Sequence, residues 1–227
     1  MSRNIIIAQA RTTSSRLPGK IFKKLLGKPA IFHFLDACFE AETIDKVILA
    51  VPDSQKKEFR FLTEEYPDIL VFGGDEEDVL SRFAKAAEMF EPKNIVRLTS
   101  DCFLMQYEVI DECVRMFSES NVDYLTNYNL KCSEDDPDNY ESLTETPDGF
   151  CVEVFSSKAL KDAHANAVEK YDREHVTPWI KRNKKCVAKS SGRLLLSGKL
   201  SVDTEEDFKI VEAALALFKK DRIKFDL

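Results

Sequence analysis

The chain has 227 residues, 44% hydrophobic and 32% charged, a balance that supports a full apolar core and excludes collagen-like, low-complexity and wholly disordered classes. With 40 Asp+Glu against 33 Lys+Arg, the formal net charge is −7, which argues against non-specific nucleic-acid binding, because phosphate contacts need clustered cations. No stretch approaches the ~20 apolar residues of a membrane span, and the N-terminus lacks the longer apolar segment of a secretory signal, so a cytoplasmic protein of one domain, residues 1–227, is expected.

In chain order, residues 5–8 (IIIA) read as a first strand and residues 30–41 (AIFHFLDACFEA) as a helix with Ile31, Phe34, Leu35 and Cys38 on one face. Residues 46–51 (KVILAV) form a second strand, residues 55–65 a polar helix and residues 69–72 a short strand. Residues 77–90 carry Val79, Leu80, Phe83, Ala86, Ala87 and Phe90 at helical spacing. Strands follow at 94–98 and 122–126, with a helix at 108–117 between them. Continuous apolar runs suit strands covered on both faces. Their alternation with helices predicts an α/β fold with a mainly parallel sheet flanked by helices.

Beyond Asn127 the rhythm breaks. Residues 133–139 (SEDDPDN) are acidic and contain a proline, so 127–147 read as a mobile loop or insertion. A strand at 150–155 and a helix at 156–168 follow, then a short helix at 173–182 interrupted at Pro178. A final strand at 200–203 leads into a closing helix at 204–219, with Thr204 as N-cap and Asp207 three residues on. Residues 220–227 read as a frayed tail. The six cysteines, Cys38, Cys102, Cys113, Cys132, Cys151 and Cys186, form no CxxC pair; reduced thiols are expected rather than a zinc site or a disulfide framework.

Three segments carry chemistry. Residues 8–20 (AQARTTSSRLPGK) leave the first strand with three cations, Arg11, Arg16 and Lys20, and four hydroxyls, Thr12 to Ser15. Ligands of open α/β sheets bind beyond the carboxyl ends of the strands, and such a loop suits a polyphosphate. It is not a Walker loop, because GxxxxGK[ST] is absent. The plainer alternative is a solvated loop whose cations pair with nearby acids. Asp101, just past a strand end, is a natural Mg2+ ligand, because Mg2+ takes few protein oxygens and completes its shell with water and phosphate; the alternative is a helix cap. Asp203 ends an apolar run before a helix and carries the same two readings.

Taken in order, AQAR-TTSSRLPGK, DEEDVLSRF, LTSDC, GFCVEVF, REHVTPWI and SVDTEEDF resemble the spore coat polysaccharide biosynthesis (SpsF) type of cytidylyltransferase, which is similar to the CMP-Kdo and CMP-sialic acid synthetases. The resemblance spans nearly the whole chain. It implies a Rossmann-like, GT-A-like nucleotidyltransferase fold, CTP as donor, Mg2+ as cofactor, a homodimer formed through the small insertion, and an acidic sugar as acceptor in surface polysaccharide biosynthesis. By position, Arg11, Ser15, Arg16 and Lys20 match the triphosphate loop, and Ala8 and Ala10 match positions whose backbone approaches the nucleotide. Arg82 matches a basic residue near the base or the activated sugar. Asp101 and Asp203 match the metal-binding carboxylates, and Glu153, Arg173, Glu174 and His175 fall in segments on the acceptor side. Lys20, Arg11 and Asp101 would carry catalysis.

Two departures stand out. Thr13 replaces a frequent glycine. Cys151 stands where the family pattern usually has Asp, and a thiol cannot replace a carboxylate as a hard oxygen ligand. Other readings are a nucleotidyltransferase acting on a phosphorylated acceptor, which would need cations such as Lys158, Lys161, Arg173 and Lys181, a GT-A-like glycosyltransferase, which the absence of a DxD motif disfavours, and a catalytically silent nucleotide-binding homologue. His175 is a candidate base or acceptor-orienting group. Trp179 and Phe150 are read as ligand-stacking or packing aromatics.

Overall fold

A computed structural model describes residues 3–131, 140–142, 144–191, 193–194, 198–220 and 225–226. Strands β1 (Asn4–Gln9), β2 (Lys46–Pro52), β3 (Leu70–Gly74), β4 (Asn94–Thr99), β5 (Tyr124–Thr126), β6 (Glu153–Ser156) and β7 (Cys186–Ala188) form one sheet in the order β7-β5-β6-β4-β1-β2-β3. β1 pairs parallel with β2 and β4, β2 with β3, and β7 with β5; β6 alone runs antiparallel to its neighbours β4 and β5. The apolar runs form strands because both faces are covered. Ile6 and Ala8 point into one apolar cluster, Ile5 and Ile7 into the other.

Helices α1 (Ala30–Glu40), α3 (Tyr107–Glu119) and α7 (Glu205–Phe218) cover the first face. Helices α2 (Val79–Glu88), α4 (Ser157–Asn166) and α6 (Pro178–Asn183) cover the second, and α5 (Lys170–His175) is tied to the start of α2. Caps written in the sequence set the helix starts: Asp78 accepts from the Ser81 N–H, Ser156 from the Ala159 N–H, and Thr204 with Asp207 forms a complete capping box despite the shorter acid.

Several elements differ from expectation. Residues 55–65 form a 3-10 turn (Asp53–Phe59) and a short helix (Leu62–Glu65) rather than one helix. Phe59 and Leu62 are buried three residues apart, the spacing of a tighter helix, and Gln55 turns inward. Pro178 does not interrupt a helix but opens α6 at its first turn, where its missing N–H costs nothing. The sheet strand at 150–155 begins only at Glu153. Residues 200–203 join no strand: the Leu200 N–H donates to the Asp148 carbonyl and the Val202 N–H to the Asp101 carbonyl, so the segment crosses the strand ends. The short strand β7 is absent from the sequence reading. In the region read as a loose tail, Phe225–Asp226 pairs with Arg193–Leu194. The acidic stretch 133–139 lies outside the described residues.

Candidate active site

A cavity of about 350 Å3 opens at the carboxyl end of the sheet. Its walls come from the exit of β1 (Gln9, Ala10, Arg11, Ser14, Ser15, Arg16, Lys20), from Glu76, Val79 and Arg82, from the exit of β4 (Thr99 to Cys102), and from Asp148, Cys151, Glu174, His175, Ser201 and Asp203. The exit loop of β1 is latched. Buried Gln55 accepts from the Thr12 N–H at 2.7 Å and donates to Thr13 Oγ1 at 3.1 Å. The Gly19 N–H donates to the Thr12 carbonyl, and Gly19 takes φ +67, the left-handed region open to glycine, to start the turn that carries Lys20. Nothing in the local pattern of residues 53–59 marks Gln55 as this latch.

Lys20 is buried, and its ammonium lies 2.9 Å from Asp101 and 3.4 Å from Asp203, and donates to the Val202 carbonyl. Asp203 also meets Arg16 and Lys199, each at 2.9 Å. The two acids therefore flank one cationic centre although 102 positions separate them in sequence. Burial pushes the Asp203 carboxyl up, but Lys199, Lys20 and Arg16 outweigh it and hold it below the usual range. Two hard carboxylates at one point fit a divalent ion that takes its remaining oxygens from water and phosphate.

Arg82 is buried, donates to the Asp75 carbonyl at 2.9 Å, and among the described residues leaves Nε without a partner. Its seat exists because Gly74 has no side chain: a Cβ there would lie 2.9 Å from Arg82 Cγ. His175 stands at the exposed rim beside Tyr171. It is held there by a γ-turn at Val176 (φ 70, ψ −53), closed by the Thr177 N–H donating to the His175 carbonyl at 2.8 Å. A β-branched residue at positive φ is strained, and such strain collects at functional sites.

Three predicted site residues fall elsewhere. Ala8, expected to present its backbone, does not line the cavity as Ala10 does; it lies in β1 between β2 and β4 with its side chain in the core. Glu153 is buried away from the cavity, ion-paired with Arg97 and Lys181, and accepts hydrogen bonds from Tyr124 (2.6 Å) and Thr177 (2.8 Å). The cause is register, since Glu153 sits opposite Arg97 across the β4–β6 pair. Arg173 grips Asp78 with two nitrogens at 3.0 and 2.5 Å and ties α5 to the cap of α2. Its neighbours Glu174 and His175 do reach the cavity. Phe150 is core, and Trp179 packs against the second apolar cluster. Sequence reasoning missed Asp148 and Ser201, joined by a 2.7 Å hydrogen bond.

A cationic turn leaving β1, facing paired carboxylates across the carboxyl edge of a mainly parallel sheet, defines an α/β protein of the nucleotidyltransferase fold. The chain belongs to the cytidylyltransferase family, whose model matches residues 5–224. An uncharacterised protein of Methanocaldococcus jannaschii is 34% identical over 211 residues, covering 90% of this chain and 79% of the relative. The spore coat polysaccharide biosynthesis protein SpsF of Bacillus subtilis is 27% identical, covering 94% and 86%. Among solved structures, a cytidylyltransferase from Leptospira borgpetersenii superposes with a TM-score of 0.81 at 23% identity, covering 96% of this chain and 88% of that one. A CMP:2-keto-3-deoxy-manno-octonic acid synthetase complexed with CTP gives 0.70 at 15% identity, covering 96% and 100%. Among the described residues no helix is long and apolar enough to cross a membrane.

Proposed function

We propose that the protein transfers CMP from CTP to a hydroxyl of a sugar-type acceptor and releases pyrophosphate, in surface polysaccharide biosynthesis. The observation that carries this reading is the convergence of Lys20, Arg16, Asp101 and Asp203 on one wall of the cavity. Arg11, Arg16 and Lys20 bind the triphosphate tail and balance the charge that builds on the departing pyrophosphate. Asp101 and Asp203 would hold Mg2+, which supplies further charge neutralisation at the phosphates. The acceptor oxygen forms a bond to the α-phosphorus, the bond from that phosphorus to the bridging oxygen breaks with its electron pair on pyrophosphate, and the acceptor's proton passes to water at the open mouth. The protein's task is positioning and charge compensation.

The solved neighbour complexed with CTP is a synthetase of a CMP-linked keto-deoxy sugar acid, which supports an acid as acceptor; the phosphorylated-acceptor reading is disfavoured, because none of Lys158, Lys161, Arg173 and Lys181 lines the cavity, and Lys158, Lys181 and Arg173 are paired with Asp162, Glu153 and Asp78. The homodimer implied by the resemblance is part of the proposal, and light scattering at twice the chain mass tests it. The nucleotide is tested by thermal shift with CTP, UTP, ATP and GTP in the presence of Mg2+. A ligand bound only by the folded state raises its melting temperature, so selective stabilisation by CTP is expected. Preference for another nucleotide, or indifference to all four, refutes the assignment.

A further inference from the structure

We infer that Gln55 is a positioning residue of the triphosphate grip: its buried amide fixes the loop that carries Arg11, Arg16 and Lys20, so that this loop meets a triphosphate tail already ordered. The inference rests on the cytidylyl-transfer reading and goes beyond it, because Gln55 lies outside the segments that carry the family resemblance. Gln55 is 4% exposed, although Ser54 and Lys56 on either side of it are turned to water. A buried primary amide is costly unless its oxygen and its nitrogen both find partners. Both find them on the loop that leaves β1.

Gln55 Oε1 accepts from the Thr12 N–H at 2.7 Å and from Thr12 Oγ1 at 3.1 Å, while Nε2 donates to Thr13 Oγ1 at 3.1 Å. Thr13 Oγ1 in turn donates to Glu76 Oε1 at 3.3 Å. A single run of side chains thus joins the exits of β1, β2 and β3 at the carboxyl edge of the sheet. The Thr12 carbonyl carries the restraint onward: it accepts the Gly19 N–H at 3.0 Å, and Gly19 opens the turn that holds Lys20. Thr13, which stands where a glycine is frequent, therefore has a use of its own, because its hydroxyl both receives the Gln55 amide and passes a hydrogen to Glu76.

A loop that is loose before binding loses its conformational freedom when a ligand arrives, and that loss is subtracted from the affinity. A loop fixed in advance keeps the full attraction of its cations for phosphate. The gain is confined to ligands that reach the loop. CTP carries the β- and γ-phosphates that Arg11, Arg16 and Lys20 bind in the proposed reaction, and CMP lacks them. Gln55 therefore favours the triphosphate over the monophosphate without touching either, since Thr12 and Thr13 stand between it and the cations. A role in packing alone would treat the two nucleotides alike.

The test is titration of the full chain, with Mg2+ present, by CTP followed calorimetrically and by CMP followed by saturation-transfer NMR. Gln55→Leu is expected to weaken CTP binding by about tenfold or more while changing CMP binding by less than about threefold. Thr13→Val, which removes the hydroxyl and keeps the shape, should weaken CTP binding by about threefold or more, and Thr13→Ser, which keeps the hydroxyl, should restore it. Wild-type CTP affinity in a folded Gln55→Leu, equal losses for CTP and CMP, or an equal loss in Thr13→Ser and Thr13→Val overturns the inference. If Gln55→Leu does not fold, the Thr13 pair decides, and wild-type CTP affinity in Thr13→Val overturns it. Failure of CTP to bind the wild type refutes the cytidylyl-transfer reading and takes the inference with it, whereas the other failures leave that reading standing.

Discussion

Lys20 lies within 3.4 Å of two carboxylates and is almost withdrawn from water. It therefore holds together two acids that would otherwise repel each other, and it offers its charge to whatever anion displaces them. Lys20→Met is expected to lower turnover on the order of 10²–10³-fold, the usual loss when one preorganised charge contact is removed. Asp101→Ala should match it. Both are read by pyrophosphate release, with circular dichroism confirming the fold; wild-type turnover in Asp101→Ala would remove that residue from the reacting centre. At this scale the sequence was informative where a residue's place follows from local context: Arg11, Arg16 and Lys20 on the exit of β1 and Asp101 past the end of β4 line one cavity, which Asp203 joins from a segment that is no strand. It was misleading for Glu153 and Arg173, whose partners Arg97 and Asp78 are set by sheet register and helix packing.

Elements whose ends carry caps or apolar periodicity were legible. α2 and α7 begin at the side chains that cap them, and β1, β2 and β4 follow the apolar runs. Elements defined by distant partners were not. β7 is three residues that become a strand through pairing with β5, and residues 200–203 look like a strand but give their N–H groups to Asp148 and Asp101. The same strap makes Gly149 a sensitive position. A side chain at φ +99, pressed on Leu200, must push the two segments apart. Gly149→Ala is expected to cost about 1–3 kcal/mol in denaturant unfolding and to impair acceptor turnover more than CTP binding; equal stability in both proteins would show that the strap tolerates a side chain there.

Over the whole molecule, the buried ion network at Glu153 ties β4, β5 and β6 to α6. Burial alone would raise its carboxyl; Arg97 and Lys181, with the Tyr124 hydrogen bond, reverse that and hold it far below the ordinary 4.5. Because the folded value is depressed, the stabilisation is complete above 4.5 and is lost as pH falls through the folded value. The melting temperature should fall as the solution is acidified below that point, and Glu153→Gln should flatten the fall while costing about 3 kcal/mol at neutral pH. An acid limb identical in both proteins would locate the sensitivity elsewhere. The reversed direction of β6 has a separate effect on how specificity is divided. Parallel strands offer the rim the peptide that departs from them, and β1 and β4 place Arg11, Arg16, Lys20 and Asp101 on the cavity wall in that way. β6 offers the peptide that arrives, and with it Asp148 and Cys151. Under the proposed transfer, donor and recipient would be read by two kinds of connection, so the arriving one could be rewritten for another acceptor while the departing ones kept the nucleotide site intact.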